Sequence, residues 1–202
     1  MQTAIVVPSP APSDKPAAKQ ALRRVMRAAR RDYVAGLRLD EQAQLQSRLI
    51  DHLLPELVGH RYVAGYAPMG SEIDPQMLLW HALNAGMNSA YPAFVDASSP
   101  MIFRSGRCAE DCPVGGVQPP GQARTVEPDL VLVPLLAVDH TGNRLGQGGG
   151  HYDRALPALR ACGARIIGVG WAMQLLDTML PAEPWDVSLD AFVSPDGTME
   201  FS

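Results

Sequence analysis

The stretch from Asp129 to Arg154 constrains this chain more than any other part of its sequence. It reads DLVLVPLLAVDHTGNRLGQGGGHYDR, which is a continuous apolar run, a glycine-rich loop and the start of a helix. The apolar run is typical of a strand that is covered on both faces. Glycine has no Cβ, so the backbone N–H groups of such a loop can turn toward one anion, and the N-terminus of a helix adds partial positive charge. The loop glycines are Gly142, Gly146, Gly148, Gly149 and Gly150.

This loop is predicted to hold phosphate, and a tight turn that binds nothing is the alternative. It is not a P-loop, because no Gly-Lys-Ser/Thr follows, and its glycines do not have the usual GxGxxG dinucleotide spacing. A phosphate site without the P-loop lysine needs positive charge from elsewhere. Arg144 lies within the loop, and Lys19 or Arg23 could reach it from a helix near the start of the chain.

Helical patterns surround this stretch. Apolar residues at spacings of three and four predict a helix from about Pro16, with its arginines on the opposite face. Asp40 is expected to be the N-cap of a second helix, and Asp74 the N-cap of a third. A further helix is predicted near 152–162, and Pro157 is expected to make it irregular or late to start.

Strand patterns alternate with these helices. The predicted strands are RYVAGYA, SAYPAF, MIFRSG, DLVLVP, RIIGVGWA and a C-terminal hairpin that turns at Asp196 and Gly197. The many glycines and prolines of residues 106–128 predict a long loop. Alternating strands and helices predict an α/β fold, namely a three-layer sandwich around a mainly parallel, twisted sheet in a single domain.

The composition indicates a globular protein with one core. The chain has 202 residues, 47% of them hydrophobic and 19% charged, which suits one domain. Residues 1–15 lack the features of a signal peptide and are predicted to be a flexible leader, so 16–202 is the expected catalytic domain. Three cysteines outside any disulfide or zinc pattern, and no apolar run of membrane-spanning length, favour a cytoplasmic location.

Lysines and arginines crowd residues 15–38, where Asp32 is the only acidic residue. A segment of this kind could be an RNA-binding helix, a membrane-surface helix or a solvated helix face. The net charge of −4 and the lack of interleaved aromatic residues disfavour nucleic acid. We therefore expect neither a nucleic-acid nor a membrane partner.

Carboxylates occur on both sides of the glycine loop. Asp139 and Asp153 bracket it, and Asp186 and Asp190 follow in WDVSLD. Magnesium that binds together with phosphate typically takes one or two carboxylates and water. The grouping favours a metal site, although helix capping or surface exposure explains each residue alone. Trp171, at the end of a predicted strand, is placed beside a flat ligand ring.

The glycine-rich stretch resembles the signature of the 5-formyltetrahydrofolate cyclo-ligase family, also called methenyltetrahydrofolate synthetase. KQALRR at 19–24 resembles the family's Lys-x-x-Leu-Arg element, and residues 65–75 resemble its substrate loop. WDVSLDAF at 185–192 resembles the segment that carries a metal-binding aspartate. The four elements occur in the family's order over most of residues 17–195, whereas residues 95–127 match poorly.

The resemblance implies an ATP- and Mg²⁺-dependent ligase of one-carbon folate metabolism. Such an enzyme cyclises 5-formyltetrahydrofolate to 5,10-methenyltetrahydrofolate and releases ADP and phosphate. In that chemistry the formyl oxygen is phosphorylated, and N10 of the folate then attacks the activated carbon. A monomer whose partners are ATP and a reduced folate is expected. The alternative is a regulatory member of the same fold that binds nucleotide or folate without catalysis.

The resemblance also implies roles for individual residues. Arg144 and Tyr152 are the expected catalytic residues, and Asp153 and Asp190 are the expected magnesium ligands. The expected ATP contacts are Lys19, Arg23, Gly142, Asn143, Arg144, Leu145, Gly146, Gln147, Gly148, Gly149 and Gly150. The expected folate contacts are Ala67, Glu72, Gln147, Gly148, Gly149, Gly150, His151, Tyr152 and Trp171.

Overall fold

The structure is a computed structural model, and it describes residues 15–183 and 186–201. Its helices are α1 (Lys15–Ala35), α2 (Leu39–Leu53), α3 (Gln76–Asn84) and α4 (His151–Ala161). The predicted leader, residues 1–15, lies outside the described residues except for Lys15, which begins α1. Within the described part of the chain, no helix is long and apolar enough to cross a membrane.

The strands form one large sheet and two small ones. They are β1 (Tyr62–Ala64), β2 (Asn88–Ala93), β3 (Ile102–Ser105), β4 (Glu110–Asp111), β5 (Val117–Gln118), β6 (Leu130–Pro134), β7 (Ala137–Asp139), β8 (Arg144–Leu145), β9 (Arg165–Val169), β10 (Leu175–Leu176), β11 (Ala191–Ser194) and β12 (Gly197–Glu200). The large sheet has the order β12-β11-β9-β6-β1-β2-β3. Its inner strands pair in parallel, and β3 and β12 pair antiparallel at the two edges. The prediction of a mainly parallel sheet is confirmed.

Helices cover both faces of the large sheet, so the three-layer prediction is also confirmed. On one face, Leu49 and Leu53 of α2 and Leu78 of α3 pack in one buried cluster with residues of β1, β6, β9 and β11. On the other face, Leu156 and Leu159 of α4 pack in a second cluster. Burying both faces removes apolar surface from water, which is the main favourable contribution to folding.

The first half of helix α1 packs beside a small sheet, whereas Tyr33 and Val34 near its end pack against the first cluster. Its buried apolar residues Leu22 and Met26 join Leu136 and Leu145 in a third cluster, beside the small sheet β10-β7-β8. Because β8 leads into the glycine loop, this cluster brings α1 next to that loop. The prediction that the arginines of α1 all lie on its solvated face is wrong for Arg30, which is 6% exposed.

Several predicted elements form, with shifted ends. The run DLVLVP becomes β6, paired in parallel with β1 and β9, and the C-terminal hairpin forms as β11 and β12. Asp40 lies in the first turn of α2, whose N-cap is Arg38, and the N-cap of α3 is Pro75. Helix α4 runs through Pro157. These differences of one or two residues are common at helix ends.

Candidate active site

A cavity of about 450 Å³ opens at the carboxyl ends of β1, β2 and β6. The chain leaves β1 toward β2 on one side of the sheet, and β6 and later strands lie on the other side. Open α/β sheets place ligands at such a reversal of strand order. The lining has a polar part, with the glycines of residues 146–150, Arg23, Arg144 and Asp153, and an apolar part, with Phe94, Met101 and Val114; we call these the charged end and the apolar end.

The charged end of the cavity is the second half of the glycine loop. Gly148 has a φ of +105° and Gly150, which precedes α4, has a φ of +66°, values that side-chain-bearing residues rarely adopt. No acceptor pairs with the backbone N–H groups of Gly148, Gly149 or Gly150 within residues 15–183 and 186–201. The first N–H groups of α4 lie beside them without a side-chain cap. This end of the cavity can therefore bind an anion.

The first half of the predicted loop has a structural role instead. Gly142, Asn143 and Leu145 do not line the cavity. A Cβ at Gly142 would come within 2.9 Å of the Leu189 carbonyl oxygen, and Leu145 is 2% exposed. Gly142 and Leu145 are buried and Asn143 is held by hydrogen bonds to Asp139, so the geometry does not support the expectation that these three residues contact ATP.

Asp139 organises this first half. Burial acts to raise the pKa of Asp139, but hydrogen bonds from Thr141, Asn143 and Leu180 N–H lower it below its ordinary value. Both carboxylate oxygens are thereby occupied by protein donors, and the side chain is 1% exposed. Asp139 is a structural residue in this arrangement and is not available to a metal ion.

We expect Asp139→Ala to lower the free energy of unfolding by about 3 kcal/mol, since it leaves buried donors without an acceptor. Urea denaturation would measure the loss, and Asp177→Ala, at a fully exposed carboxylate that contacts only His140, should leave it unchanged. Because folding lowers the pKa of Asp139, its contribution is full above the unfolded value of about 3.9 and is lost as pH falls through the folded value. An equal urea midpoint for Asp139→Ala and the wild type would contradict this role.

Arginines of α1 hold the second half of the loop. Arg23 donates from Nε to the Gly146 carbonyl oxygen at 3.0 Å, and Arg23 also lines the cavity. Arg27 donates from Nε to Gln147 Oε1 at 2.8 Å and from Nη2 to the Gln147 carbonyl oxygen. Arg27 was not anticipated from the sequence, although it lies one turn after Arg23 and thus on the same helix face.

Arg144 and Asp153 both line the cavity and form an ion pair there. The Arg144 side chain is 5% exposed, and its Nη2 contacts Asp153 Oδ1. Its guanidinium carbon lies 5.8 Å from the centre of the Tyr152 ring, within the range of a cation–π contact. Its Nε is buried and has no hydrogen-bond partner among the residues that the structure describes. The N–H group at this Nε can therefore donate a hydrogen bond to a ligand oxygen.

Asp186 is the second carboxylate near this site. Lys19 Nζ donates to Asp186 Oδ2 at 2.8 Å. Burial acts to raise the pKa of Asp186, but the Lys19 hydrogen bond, the Glu183 N–H and the charge of Arg144 lower it below its ordinary value. The charges of Asp186 and Arg144 therefore interact, and Asp186 also holds the Lys19 ammonium group.

Asp190, the expected metal ligand, lies elsewhere. Its Oδ1 accepts from Arg160 Nη1 at 2.8 Å, and its Oδ2 accepts from the Ile166 N–H at 2.7 Å. It does not line the cavity. Both oxygens of Asp190 thus accept from residues of α4 and β9. Neither aspartate of WDVSLD lines the cavity, and Asp186 is the one whose charge interacts with Arg144.

Of the two aromatic residues expected at the site, one lines the cavity and the other does not. Tyr152 lines the cavity as expected, and burial, reinforced by the charge of Glu72, raises its pKa well above the ordinary value. Its hydroxyl is thus a hydrogen-bond donor at neutral pH. Trp171 is 1% exposed, packs 5.7 Å from the Tyr33 ring and donates from Nε1 to the Ser71 carbonyl oxygen. Trp171 is a core residue that does not line the cavity, so the geometry does not support its expected contact with a ligand ring.

The remaining expected folate contacts line the cavity. They are Ala67, Glu72, Gln147, Gly148, Gly149, Gly150 and His151. The His151 ring lies edge-on to Phe94, 4.8 Å between ring centres. Burial and the nearby Arg154 lower the pKa of His151, which favours a neutral imidazole at neutral pH. A neutral ring beside an aromatic wall suits a neutral heterocyclic ligand better than a phosphate.

The apolar wall was not anticipated from the sequence. Residues 106–128, predicted as a long loop, contain the β4–β5 hairpin, and residues 114–117 of that hairpin line the cavity with Met69 and Met101. Cβ atoms at Gly115 and Gly116 would lie 3.8 Å from the Met69 side chain. The only available signal was the clustered glycine and proline content of the segment, which indicates a turn and not a binding wall.

Known proteins resemble this chain in sequence. The chain is similar to the 5-formyltetrahydrofolate cyclo-ligase of Mycolicibacterium smegmatis, with 38% identity over 148 residues, or 68% of this chain and 75% of that protein. The Escherichia coli protein of the same name is 30% identical over 155 residues, or 73% and 85%.

Solved structures show the same similarity. The NMR structure of 5,10-methenyltetrahydrofolate synthetase from Aquifex aeolicus matches with a TM-score of 0.75 and 25% identity, over 90% of this chain and 92% of that one. A methenyltetrahydrofolate synthetase from Mycoplasma pneumoniae matches with a TM-score of 0.67. The model of one protein family matches residues 15–195. Because the family model covers most of the chain and the relatives carry the same name, the chain belongs to the 5-formyltetrahydrofolate cyclo-ligase family.

Proposed function

We propose that the chain catalyses the ATP- and Mg²⁺-dependent cyclisation of 5-formyltetrahydrofolate to 5,10-methenyltetrahydrofolate, with release of ADP and phosphate. The observation that carries this proposal is the position of Arg144, which lines the cavity and contacts both Asp153 and the Tyr152 ring. A buried cation in this lining, with an Nε that is unpaired among the described residues, can act where a phosphoryl donor meets an organic acceptor. Relatives that bear the name of this activity support the assignment.

ATP phosphates fit the charged end of the cavity. The unpaired N–H groups of Gly148, Gly149 and Gly150 supply dipoles, and the N-terminus of α4 adds partial positive charge. Arg23 lines this end, and Lys19, although outside the lining, is linked to the site through Asp186. The chain thereby replaces the missing P-loop lysine with side chains of α1.

Magnesium fits the carboxylates of Asp153 and Asp186. Within the described ranges, no cluster of three or more His, Cys, Asp or Glu is arranged to hold a metal alone. A magnesium ion that binds with phosphate needs only one or two carboxylates, because phosphate oxygens and water complete its six positions. Asp153 is 43% exposed in its side chain and can reorient from Arg144 toward such an ion.

The reduced folate fits the other end. Met101, Phe94 and the 114–117 wall can cover its rings, and Tyr152 can donate a hydrogen bond to a carbonyl oxygen. Glu72 can accept a hydrogen bond from a ring N–H group. His151 would complete this end as a neutral neighbour of the ligand.

The chemistry needs a better leaving group than the formyl oxygen, and ATP supplies it by phosphorylating that oxygen before N10 closes the ring. The residues of this chain would align the oxygen and the phosphate, and Arg144 would offset the charge that develops between them. Phosphoryl transfer depends mainly on such positioning and charge neutralisation.

Purified protein given 5-formyltetrahydrofolate and MgATP is expected to produce a rise in near-ultraviolet absorbance from the methenyl product, with one ADP released per product formed. Omission of ATP, or chelation of magnesium, should abolish both signals. A folded protein that binds ATP and folate without forming product would contradict the catalytic proposal and identify a regulatory member of the fold.

We also propose that the protein works as a cytoplasmic monomer on small molecules, without nucleic acid. In support, three arginines of the basic helix α1 donate hydrogen bonds within the protein, namely Arg23, Arg27 and Arg30. The positive charge of α1 therefore does not require an RNA partner to explain it. The oligomeric state and the location remain predictions, to be tested by sedimentation and by fractionation.

A further inference from the structure

A buried ion pair lies under the folate end of the cavity. Arg30 Nη1 and Glu72 Oε1 are 3.6 Å apart, and the two side chains are 7% and 6% exposed. Arg30 does not line the cavity, whereas Glu72 does. The pair therefore joins the inner face of α1 to a residue that a ligand can touch.

Arg30 fixes the backbone around Glu72 as well as its carboxylate. Its Nε donates to Ser71 Oγ at 3.1 Å, and its Nη1 donates to the Leu135 carbonyl oxygen at 3.2 Å. Ser71 precedes Glu72 in the chain, and Leu135 follows β6 directly. One guanidinium thus ties the loop that carries Glu72 to the carboxyl end of a central strand.

Glu72 keeps capacity for a ligand. Its Oε2 accepts from the Met69 N–H at 3.0 Å, and its Oε1 accepts from Gln147 Nε2 at 3.0 Å. Each carboxylate oxygen can accept two hydrogen bonds. Arg30, Met69 and Gln147 together hold the Glu72 carboxylate, and so they set the direction of its remaining lone pairs. Of these three residues, only Arg30 is charged.

Stability alone is a poor explanation for this pair. The loss of hydration of two buried charges commonly cancels their attraction, so a buried ion pair adds little net stability. The same pair can fix orientation, because an unpaired buried carboxylate would turn toward water. A positioning role therefore accounts for the burial of Arg30 better than a stabilising one.

We propose that Arg30 is a positioning residue that holds the Glu72 carboxylate in the orientation that contacts the reduced folate. The inference rests on the proposed function, because the contact between Glu72 and folate belongs to it. It predicts that Arg30 acts on folate binding through Glu72 alone, and that ATP binding does not depend on it.

Four proteins test this inference: the wild type, Arg30→Met, Glu72→Gln and the double variant. Each single change is expected to raise the KM for 5-formyltetrahydrofolate about 10-fold, which is the loss of one directed hydrogen bond. The KM for ATP should stay within about twofold of the wild type. The double variant should match Glu72→Gln, since Arg30 has no target left to orient.

Arg30→Lys and Arg31→Met provide the controls. Arg30→Lys keeps the charge and should recover most of the folate affinity. Arg31 is 73% exposed and, among the described residues, pairs with Asp32, so it should be replaceable without effect. If Arg30→Met does not fold, Arg30→Gln, which also removes the charge, takes its place in the same four-protein comparison.

Two outcomes would overturn the inference. One is additive effects in the double variant, which would mean that Arg30 and Glu72 act independently. The other is an equal rise in the KM for ATP and for folate, which would mean a general disturbance of the fold. A wild-type protein without turnover would instead overturn the proposed function, so the two failures are distinguishable.

Discussion

Arg144→Met is expected to lower kcat for cyclisation about 10³-fold, the scale on which an arginine stabilises a phosphoryl-transfer transition state. The guanidinium is the cation that contacts both Asp153 and the Tyr152 ring, and its Nε is unpaired among the described residues. Its charge is therefore best placed to offset the charge that develops during transfer. Absorbance of the methenyl product under saturating substrates would measure kcat directly.

The fold should survive this change. Methionine fills a similar apolar volume, and Asp153 is 43% exposed, so its charge remains hydrated after the arginine is gone. Arg160→Met is the matched control, because Arg160 also forms an Arg–Asp pair and lies outside the cavity. Nearly normal turnover in Arg144→Met, with a thermal midpoint like that of the wild type, would remove Arg144 from the catalytic machinery.

Asp186→Asn is expected to lower turnover about 10²-fold and to raise the magnesium concentration required for half-maximal activity. The carboxylate accepts a hydrogen bond from Lys19, and its charge interacts with Arg144, the two cations that are proposed to act on phosphate and metal. An amide keeps the shape of the side chain but loses the charge that a magnesium ligand needs. A magnesium titration at fixed ATP separates the two effects.

Asp190→Asn is the matched comparison, since it makes the same chemical change four residues away. We expect it to leave the magnesium dependence unaltered and to cost stability instead, because Asp190 accepts from Arg160 and from the Ile166 N–H. A magnesium requirement that rises in Asp190→Asn and not in Asp186→Asn would restore Asp190 as the ligand and refute the assignment made from the structure.

Periodicity and turn chemistry predicted the main strands of the large sheet. The run from Leu130 to Val133 was typical of a strand buried on both faces, and Asp196-Gly197 was typical of a tight turn between short strands. These patterns depend on only a few neighbouring residues, so they can be recognised without knowing how the rest of the chain folds. The glycine loop was recognisable for the same reason.

Choices between neighbouring residues were not predictable. Asp186 and Asp190 occur in one short segment, and the choice between them depends on whether Arg160 or Lys19 lies opposite each one in the fold. Trp171 at a strand end could face a ligand or the core, and Tyr33 of α1 packs against it. These outcomes depend on long-range packing, which a local pattern does not encode.

The burial of Arg30 was also not predictable from the sequence. Arginine is rarely buried, so an arginine on an amphipathic helix is normally assigned to solvent. Here Glu72 and the Leu135 carbonyl oxygen supply partners that a helical pattern cannot reveal. The spacing of Arg23, Arg27 and Arg30 places them on one helix face, and that spacing was the only available hint.

Helix α1 makes its site contacts with residues far along the chain. Arg23 and Gly146 are separated by 123 residues, and Lys19 and Asp186 by 167. During synthesis from the N-terminus, α1 is therefore made long before its partners exist, and loop-closure entropy must be overcome before they meet. The proposed binding site thus depends on contacts of α1 that cannot form during synthesis until Gly146 and then Asp186 have been made.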